Sequence, residues 1–163
     1  MSGKRLLFCL SLAAVPLLCS CAGRNAEPAG ITYPATDKVE SVFQRAQVPE
    51  QCRVFAQFFV TMPAQQTGQQ FADAVAAEAK AKGADMLLIG QSRQSTSSSE
   101  LTYSKYGPDR EYKIGDWPGW NFGYEEWQKQ GAWANIGYGE WGNPKIHFDY
   151  PVVIQLVFLR CRS

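Results

Sequence analysis

The sequence predicts an α+β domain with a single mixed β-sheet, a β-α-β core, about two helices and one disulfide. Three observations support this fold class. Residues 52–93 follow a strand, helix, strand pattern, and an apolar run at residues 152–159 ends the chain as a further strand. Between them, residues 103–150 form an excursion rich in aromatic residues and glycine, where neither a helical nor a strand period persists.

The first predicted strand covers Arg53 to Thr61. Its apolar residues occupy both sides of an extended chain, as expected of a central strand that is covered on both faces. Strict alternation puts Val54, Ala56, Phe58 and Val60 on one face and Phe55 and Phe59 on the other.

A helix is predicted to begin at Thr67. Thr67 and Gln70 have the capping-box spacing, in which each side chain accepts a hydrogen bond from the other residue's backbone N–H. Apolar residues then recur on one helical face, at Phe71, Val75 and Ala79. Gly83 can adopt the left-handed conformation that ends the helix.

Three more elements complete the predicted sheet and its cover. Asp85–Ile89 is a short apolar strand, predicted to run parallel to the first strand through a right-handed crossover. Asp37 to Pro49 is predicted as a short helix, because a capping signal precedes apolar residues at helical spacing. Leu101–Ser104 alternates weakly and is predicted as an edge strand.

The N-terminus has the form of a secretory signal. Lys4 and Arg5 precede the apolar run Leu6–Leu18, which is too short to cross a bilayer. We therefore expect residues 1–20 to be removed from the mature protein.

The signal ends in Leu18-Cys-Ser-Cys21, which resembles the lipobox of bacterial lipoproteins. The resemblance implies that Cys21 is acylated, with palmitate among its acyl chains, and becomes the new N-terminus. Ala22 after this cysteine implies the outer membrane, with the protein on its periplasmic face. Residues 21–36 would then be a lipidated tether and residues 37–163 a single domain. The alternative is an ordinary cleaved signal that leaves Cys21 as a thiol.

If Cys21 carries lipid, two of the five cysteines remain in the domain, Cys52 and Cys161. Two cysteines in an oxidising compartment favour a disulfide. If the strands that they flank are antiparallel neighbours, the two residues lie side by side. A redox-active pair is the alternative, but the sequence has no Cys-x-x-Cys.

The charge argues against a nucleic acid partner. Loss of Lys4 and Arg5 reduces the 16 basic residues to 14, against 15 acidic residues. No basic surface is therefore expected.

All five tryptophans lie in the excursion, and two interpretations compete for them. In the first, aromatic rings line a groove that binds a sugar, a peptide or a partner protein. In the second, they fold back over the sheet as core. The candidate binding residues are Trp117, Trp120, Trp127, Trp133, Trp141, Tyr124 and Tyr138.

The sequence predicts no catalytic or metal site and no cofactor. His147 and Asp149 could form an acid/base pair, but His147 is the one histidine and a metal needs three or four ligands. Glu125, Glu126 and Glu140 could supply the paired carboxylates of a glycosidase, although nothing in the sequence fixes their separation.

A second resemblance concerns the predicted helix-to-strand junction. Ala79, Gly83, Ala84 and Asp85 resemble the junction in small β-α-β envelope lipoprotein domains such as the Rcs stress-sensor lipoprotein. The resemblance implies the fold of residues 52–93, whereas the aromatic excursion has no counterpart in that family.

Together these observations predict a lipid-anchored, non-catalytic binding or interaction protein of the cell envelope. Its expected partners are the membrane, through the N-terminal lipid, and an envelope protein or glycan. The alternatives are a small glycan-acting envelope enzyme and a purely structural envelope lipoprotein.

Overall fold

The computed structural model describes residues 30–96 and 100–162. The predicted signal peptide and Cys21 lie outside these residues. The elements, in chain order, are β1 (Glu40–Val42), a 3-10 turn (Arg45–Gln47), β2 (Arg53–Met62), β3 (Gln66–Thr67), α1 (Gly68–Ala81), β4 (Met86–Gln94), β5 (Thr102–Gly107), β6 (Tyr112–Lys113), α2 (Tyr124–Gln128), β7 (Trp133–Ala134), β8 (His147–Phe148) and β9 (Val152–Arg160). Within the described ranges, none of the helices has the length and hydropathy needed to cross a membrane.

One large sheet organises the domain. Its strand order is β1-β4-β9-β2-β5, with β6 beside β2 and β7 beside β4. β1 and β4 pair parallel, whereas the other pairs in this sheet are antiparallel. β3 and β8 form a separate two-stranded sheet. The predicted α+β class with a mixed sheet is confirmed, and the predicted edge strand is present as β5.

The β-α-β core is split by the last strand of the chain. β2 and β4 run in the same direction, as predicted, because each is antiparallel to β9, which lies between them. Val152 to Leu159 are all buried. A strand that is apolar on both sides is best covered at the centre of the sheet, so β9 takes the position between β2 and β4.

The helix between β2 and β4 has the predicted ends. The Gln70 amide N–H donates to Thr67 Oγ1 at 3.1 Å, and the Thr67 amide N–H donates to Gln70 Oε1 at 2.8 Å. Phe71, Val75 and Ala79 are buried against the sheet. Gly83 has a φ of 83°, which an L-amino acid side chain disfavours. The capping box, the buried stripe and the terminating glycine are therefore confirmed.

The prediction for residues 37–49 was wrong. Glu40–Val42 form β1, and only Arg45–Gln47 are helical, as a single 3-10 turn. The Glu40 amide N–H donates to the Asp85 carbonyl at 3.1 Å, which brings this segment onto the edge of β4. Pairing with the sheet has overridden the local helical pattern.

The predicted faces of β2 were wrong at two positions. A bulge between Val54 and Ala56 shifts the register with β9. As a result Phe55 packs on the α1 side with Ala56 and Phe58, whereas Val54 packs on the opposite side. A bulge places two residues opposite one, so strict alternation fails there.

The predicted disulfide between Cys52 and Cys161 is present, with a sequence separation of 109. It forms where Arg53 of β2 pairs with Arg160 of β9, so the two flanking cysteines are adjacent. The bond therefore joins the start of the first long strand to the end of the last one.

The sheet has two differently covered faces. On the helix face, α1 packs over apolar side chains of β2, β4 and β9. On the other face, which we call the aromatic face, the excursion covers the strands with a layer of large side chains. The rings of this aromatic layer are those of Tyr106, Tyr112, Trp117, Trp120, Phe122 and Trp127.

Candidate binding groove at the bulge of β4

A bulge interrupts β4 near its middle. Ile89 pairs with Leu156 and Ser92 pairs with Ile154, so Gly90 and Gln91 lie opposite the single residue Gln155. A β-carbon on Gly90 would lie 2.7 Å from the Trp120 ring and 2.9 Å from Gln155 Cβ. The bulge therefore requires glycine at this position, because the Trp120 ring lies directly against the backbone.

The outer edge of β4 is only partly covered next to this bulge. β1 pairs with Met86–Leu88, and β7 pairs with Ser92 and Arg93. The Ser92 hydroxyl donates to the Ala134 carbonyl and accepts from the Ile136 amide N–H at 3.1 Å. The buried hydroxyl takes the place of a backbone partner, so the chain after Ala134 leaves the edge of β4 and a depression opens.

Two cavities of about 420 and 410 Å³ occupy this depression. They share Gly90, Gln91, Ile136 and Gly137, so they form one continuous trough across the bulge, which we call the β4 groove. Each volume falls within the range of about 300–1,000 Å³ typical of small-molecule sites. The remaining lining residues are Phe43, Arg45, Leu88, Ile89, Ser92, Trp117, Gly119, Trp120, Trp133, Ala134, Asn135 and Glu140.

Three of the five predicted tryptophans line this groove. Trp117 and Trp120 lie at one end, in an edge-to-face contact with ring centroids 5.1 Å apart. Trp133 lies at the other end and is 56% exposed. Trp117 is only 3% exposed, so the ring packs into the aromatic layer and also borders the groove.

The other two tryptophans belong to the core. Trp127 is buried against Phe59, with ring centroids 5.4 Å apart. Trp141 packs on Phe71 of α1 at 5.5 Å, on the opposite side of the sheet. The predicted set therefore divides by position: Trp133 lies at the groove, Trp127 and Trp141 pack in or against the core, and Trp117 does both.

The two predicted tyrosines are on the surface outside the lining. Tyr124 is at the start of α2 and is 52% exposed, and Tyr138 is 86% exposed. The ring of Tyr138 meets Phe43, a lining residue, edge to face at 5.9 Å. Tyr138 thus adjoins the rim of the groove, whereas Tyr124 is a surface aromatic of a different element.

Arg93 positions the Trp133 ring. Its guanidinium carbon lies 4.4 Å from the centroid of Trp133 and 5.7 Å from that of Trp127. Arg93 Nη1 also donates to the Trp127 carbonyl at 3.0 Å, at the C-terminal end of α2. The cation therefore holds the exposed ring over the buried one, while its hydrogen bond stabilises the end of the helix.

Buried polar atoms without partners concentrate on the aromatic face. Within the described residues, the buried side-chain atoms that lack a hydrogen-bond partner are Gln57 Oε1, Arg93 Nε, Trp117 Nε1 and Gln155 Oε1. Gln57 uses its other polar atom, since Nε2 donates to the Phe122 carbonyl at 2.9 Å. An unpartnered buried polar atom costs free energy, so among the described residues this cost falls on the aromatic face and not on the helix face.

Apart from the tryptophans and Glu140, the side chains that shape the groove were not identified from the sequence. Gly90 inside an apolar strand is a recognised sign of a bulge, and that signal was available. The roles of Ser92 and Arg93 depend on contacts more than 30 residues away along the chain, at Ile136 and Trp127. Local patterns carry no information on such contacts.

The acidic and histidine candidates do not assemble a catalytic set. Glu140 is the only carboxylate that lines the groove, and its Oε2 accepts from the Gly137 amide N–H at 2.9 Å. Glu126 pairs with Lys129 on α2. His147 is exposed on β8, opposite Thr67. Across residues 30–96 and 100–162, no group of three or more His, Cys, Asp or Glu side chains could hold a metal ion.

Among the described residues, the β4 groove is the candidate site that combines aromatic walls with amide and hydroxyl groups and one braced carboxylate. Such a site can bind a ligand and orient it by stacking and hydrogen bonds. No protein-family model, curated protein or solved structure matches this chain.

Proposed function

We propose that this protein is a lipid-anchored, non-catalytic binding protein of the bacterial cell envelope and that the β4 groove holds its ligand. The observation that carries the proposal is the groove itself, walled by Trp117, Trp120 and Trp133. In this proposal the protein is anchored in the outer membrane and faces the periplasm.

Two features support the location. The resemblance of Leu18-Cys-Ser-Cys21 to a lipobox supports an anchor at Cys21, since several acyl chains on one residue give stable membrane attachment. The disulfide between Cys52 and Cys161 suits an oxidising compartment such as the periplasm.

The lining of the groove favours binding over glycan cleavage. A glycosidase needs two carboxyl groups about 5–9.5 Å apart across the bond that it cleaves. Glu140 is the one carboxylate among the lining residues, and its hydrogen bond to Gly137 braces the loop. Binding therefore fits the groove better than hydrolysis does.

The exposed rim favours binding over a purely structural role. Trp133 is 56% exposed although Arg93 and Trp127 hold it in place. A large ring that is held rigidly at the surface, beside a cavity, is typical of a recognition surface, where rigid aromatic side chains supply much of the binding energy.

The binding proposal is tested with Trp133→Ala, and Tyr124→Ala is the matched control. Both side chains are about half exposed, but only Trp133 lines the groove. The full-length protein in mild detergent is sedimented with isolated envelope material. Trp133→Ala should weaken binding by about tenfold or more, the usual effect of losing a central aromatic contact. Equal binding by the two variants would contradict the proposal.

The anchor is tested separately with Cys21→Ser. We expect the variant to lose the mass of the acyl chains and to leave the membrane fraction. Unchanged mass and membrane association would contradict lipidation at this residue.

A further inference from the structure

We infer that the ligand of the β4 groove is an N-acetylated glycan strand of the kind that peptidoglycan presents. This inference rests on the proposed function, that the groove is a binding site. Three observations carry it: the chemistry of the lining residues, the pairing of the β4 edge with β1 and β7, and the position of Gly30, where the described chain begins.

The lining offers both kinds of contact that a sugar ring needs. A pyranose has apolar C–H faces and a polar rim of hydroxyl groups, so it stacks on aromatic rings while its edge makes hydrogen bonds. Trp120 and Trp133 supply rings at the two ends of the groove. Gln91 and Asn135 are exposed amides on its lining, able both to donate and to accept.

The charge of the lining fits a neutral ligand. Arg45 and Glu140 are the charged lining residues, and both are engaged. Arg45 Nη2 donates to the carbonyls of Ile114 and Gly115, and Glu140 accepts from Gly137. The lining thus carries one cation and one carboxylate and has no net charge, which favours a neutral ligand over a polyanion.

The indole N–H of Trp117 suits the acetamido group. Trp117 lines the groove and is 3% exposed, and its Nε1 has no acceptor among the described residues. An indole nitrogen can only donate, so an oxygen acceptor that reached it at the Trp117 end of the groove would supply the partner that it lacks. An acetamido carbonyl is a stronger acceptor than a sugar hydroxyl and would remove the cost of the unpartnered N–H.

The edge of β4 argues against an extended peptide. A peptide that adds to a sheet needs a regular row of backbone N–H and C=O groups. β1 already occupies Met86–Leu88 and β7 occupies Ser92 and Arg93. Only Ile89–Gln91 remain between them, and the bulge distorts the backbone there. Side-chain stacking is thus the main contact available, which suits a sugar better than a strand.

The attachment point leaves the groove open to the cell wall. A β-carbon on Gly30 would collide with the side chain of Lys105 on β5, so the described chain begins beside that strand. β5 ends the sheet on the side opposite β4 and β1. From Cys21 to Gly30 the chain can span at most about 30 Å. A tether of this reach would let the edge that carries the groove face away from the membrane.

The experiment compares two tetrasaccharides with the same β-1,4 linkage, one of N-acetylglucosamine and one of glucose. Binding to the full-length protein in mild detergent is measured by calorimetry and tryptophan fluorescence. Gly90→Ala and Trp133→Ala are the test variants, and Gly115→Ala is the control because its added methyl group meets no atom within 4 Å. An envelope protein fraction freed of glycan is the third ligand.

We expect the N-acetylated tetramer to bind at least about tenfold more tightly than the glucose tetramer, the worth of one good hydrogen bond. Gly90→Ala and Trp133→Ala should each weaken binding of the N-acetylated tetramer by about tenfold or more, and Gly115→Ala should leave it unchanged. Equal binding of both tetramers, or of neither, overturns the glycan inference. If Trp133-dependent binding is then found only with the glycan-free protein fraction, the proposed function stands. If no ligand shows binding that depends on Trp133, both the glycan inference and the proposed function are overturned.

Discussion

The two faces of the sheet are built in different ways. On the helix face, α1 sets Phe71, Val75 and Ala79 at regular spacing against the apolar side chains of β2 and β9. On the aromatic face, a loop brings Trp117 and Trp120, and the short helix α2 brings Trp127, over the same strands. Within residues 30–96 and 100–162, the four buried polar atoms without a partner lie on or over that second face.

This difference suggests that the two faces contribute differently to the stability of the domain. A regular interface of apolar side chains gives stability without special contacts. Departures from the rules of stable packing, such as a buried glutamine carbonyl without a donor, are expected at functional sites. We therefore expect substitutions on the helix face to change the free energy of unfolding and substitutions at the groove to change binding.

The largest expected effect is loss of the disulfide, which tests whether the two faces unfold as one unit. The bond closes a loop with a sequence separation of 109, so its removal should lower the free energy of unfolding by about 4–5 kcal/mol in the chain-entropy model. Urea unfolding with and without reductant, followed by circular dichroism and tryptophan fluorescence, measures this change. Separate transitions for the two signals would show that the faces unfold independently.

A core truncation on the helix face should come next. Phe158 is fully buried beside Phe55 and Phe58. Phe158→Ala should lower the free energy of unfolding by about 3–5 kcal/mol, because a large cavity remains. Tyr124→Ala, at an exposed ring, should stay within about 0.5 kcal/mol of wild type in the same urea titration. A small loss for Phe158→Ala would contradict the importance of the helix face.

On the aromatic face, a substitution that conserves volume should not lower the free energy of unfolding and could raise it. Gln155 is 1% exposed and its Oε1 has no partner among the described residues. Gln155→Met removes this unpartnered carbonyl, so the free energy of unfolding should stay level or rise by up to about 1 kcal/mol. Urea unfolding checks the sign. A loss of more than about 1 kcal/mol would show that the carbonyl has a partner after all.

The last prediction concerns the pH dependence of stability on the helix face. Burial, with the Glu78 carboxylate as a second cause, raises the pKa of Tyr103 to about 12. The folded state therefore disfavours the ionised phenol, so stability is complete below the unfolded pKa of about 10 and falls as pH rises from there toward 12. Absorbance at alkaline pH follows the ionisation, and Tyr103→Phe should flatten the alkaline loss. If wild type and Tyr103→Phe lose stability equally at alkaline pH, Tyr103 is excluded as the cause of the loss.

The sequence predicted the helix face better than the aromatic face for a physical reason. The cap formed by Thr67 and Gln70 and the turn at Gly83 depend on neighbours within a few residues. The same local pattern failed at Glu40–Val42, where pairing with β4 prevailed, and at the bulge after Val54.

The groove depends almost entirely on distant contacts. Ser92 meets Ile136, and Gly90 meets Trp120, although neither pair is close in the chain. The tryptophans stood out as candidates because residues 103–150 are unusually rich in aromatic residues. The sequence could not show that Trp133 is exposed at the rim and Trp127 is buried in the core, because this difference in exposure arises only when the excursion folds over the sheet.

The central claim is that the β4 groove is a recognition surface of the envelope. Its most direct test is acrylamide quenching of the Trp133 fluorescence, taken as the difference between the full-length protein and Trp133→Phe. We predict ready quenching in the free protein, because this ring is 56% exposed, and strong protection when envelope extract containing peptidoglycan fragments is added. Equal quenching with and without the extract would contradict the claim.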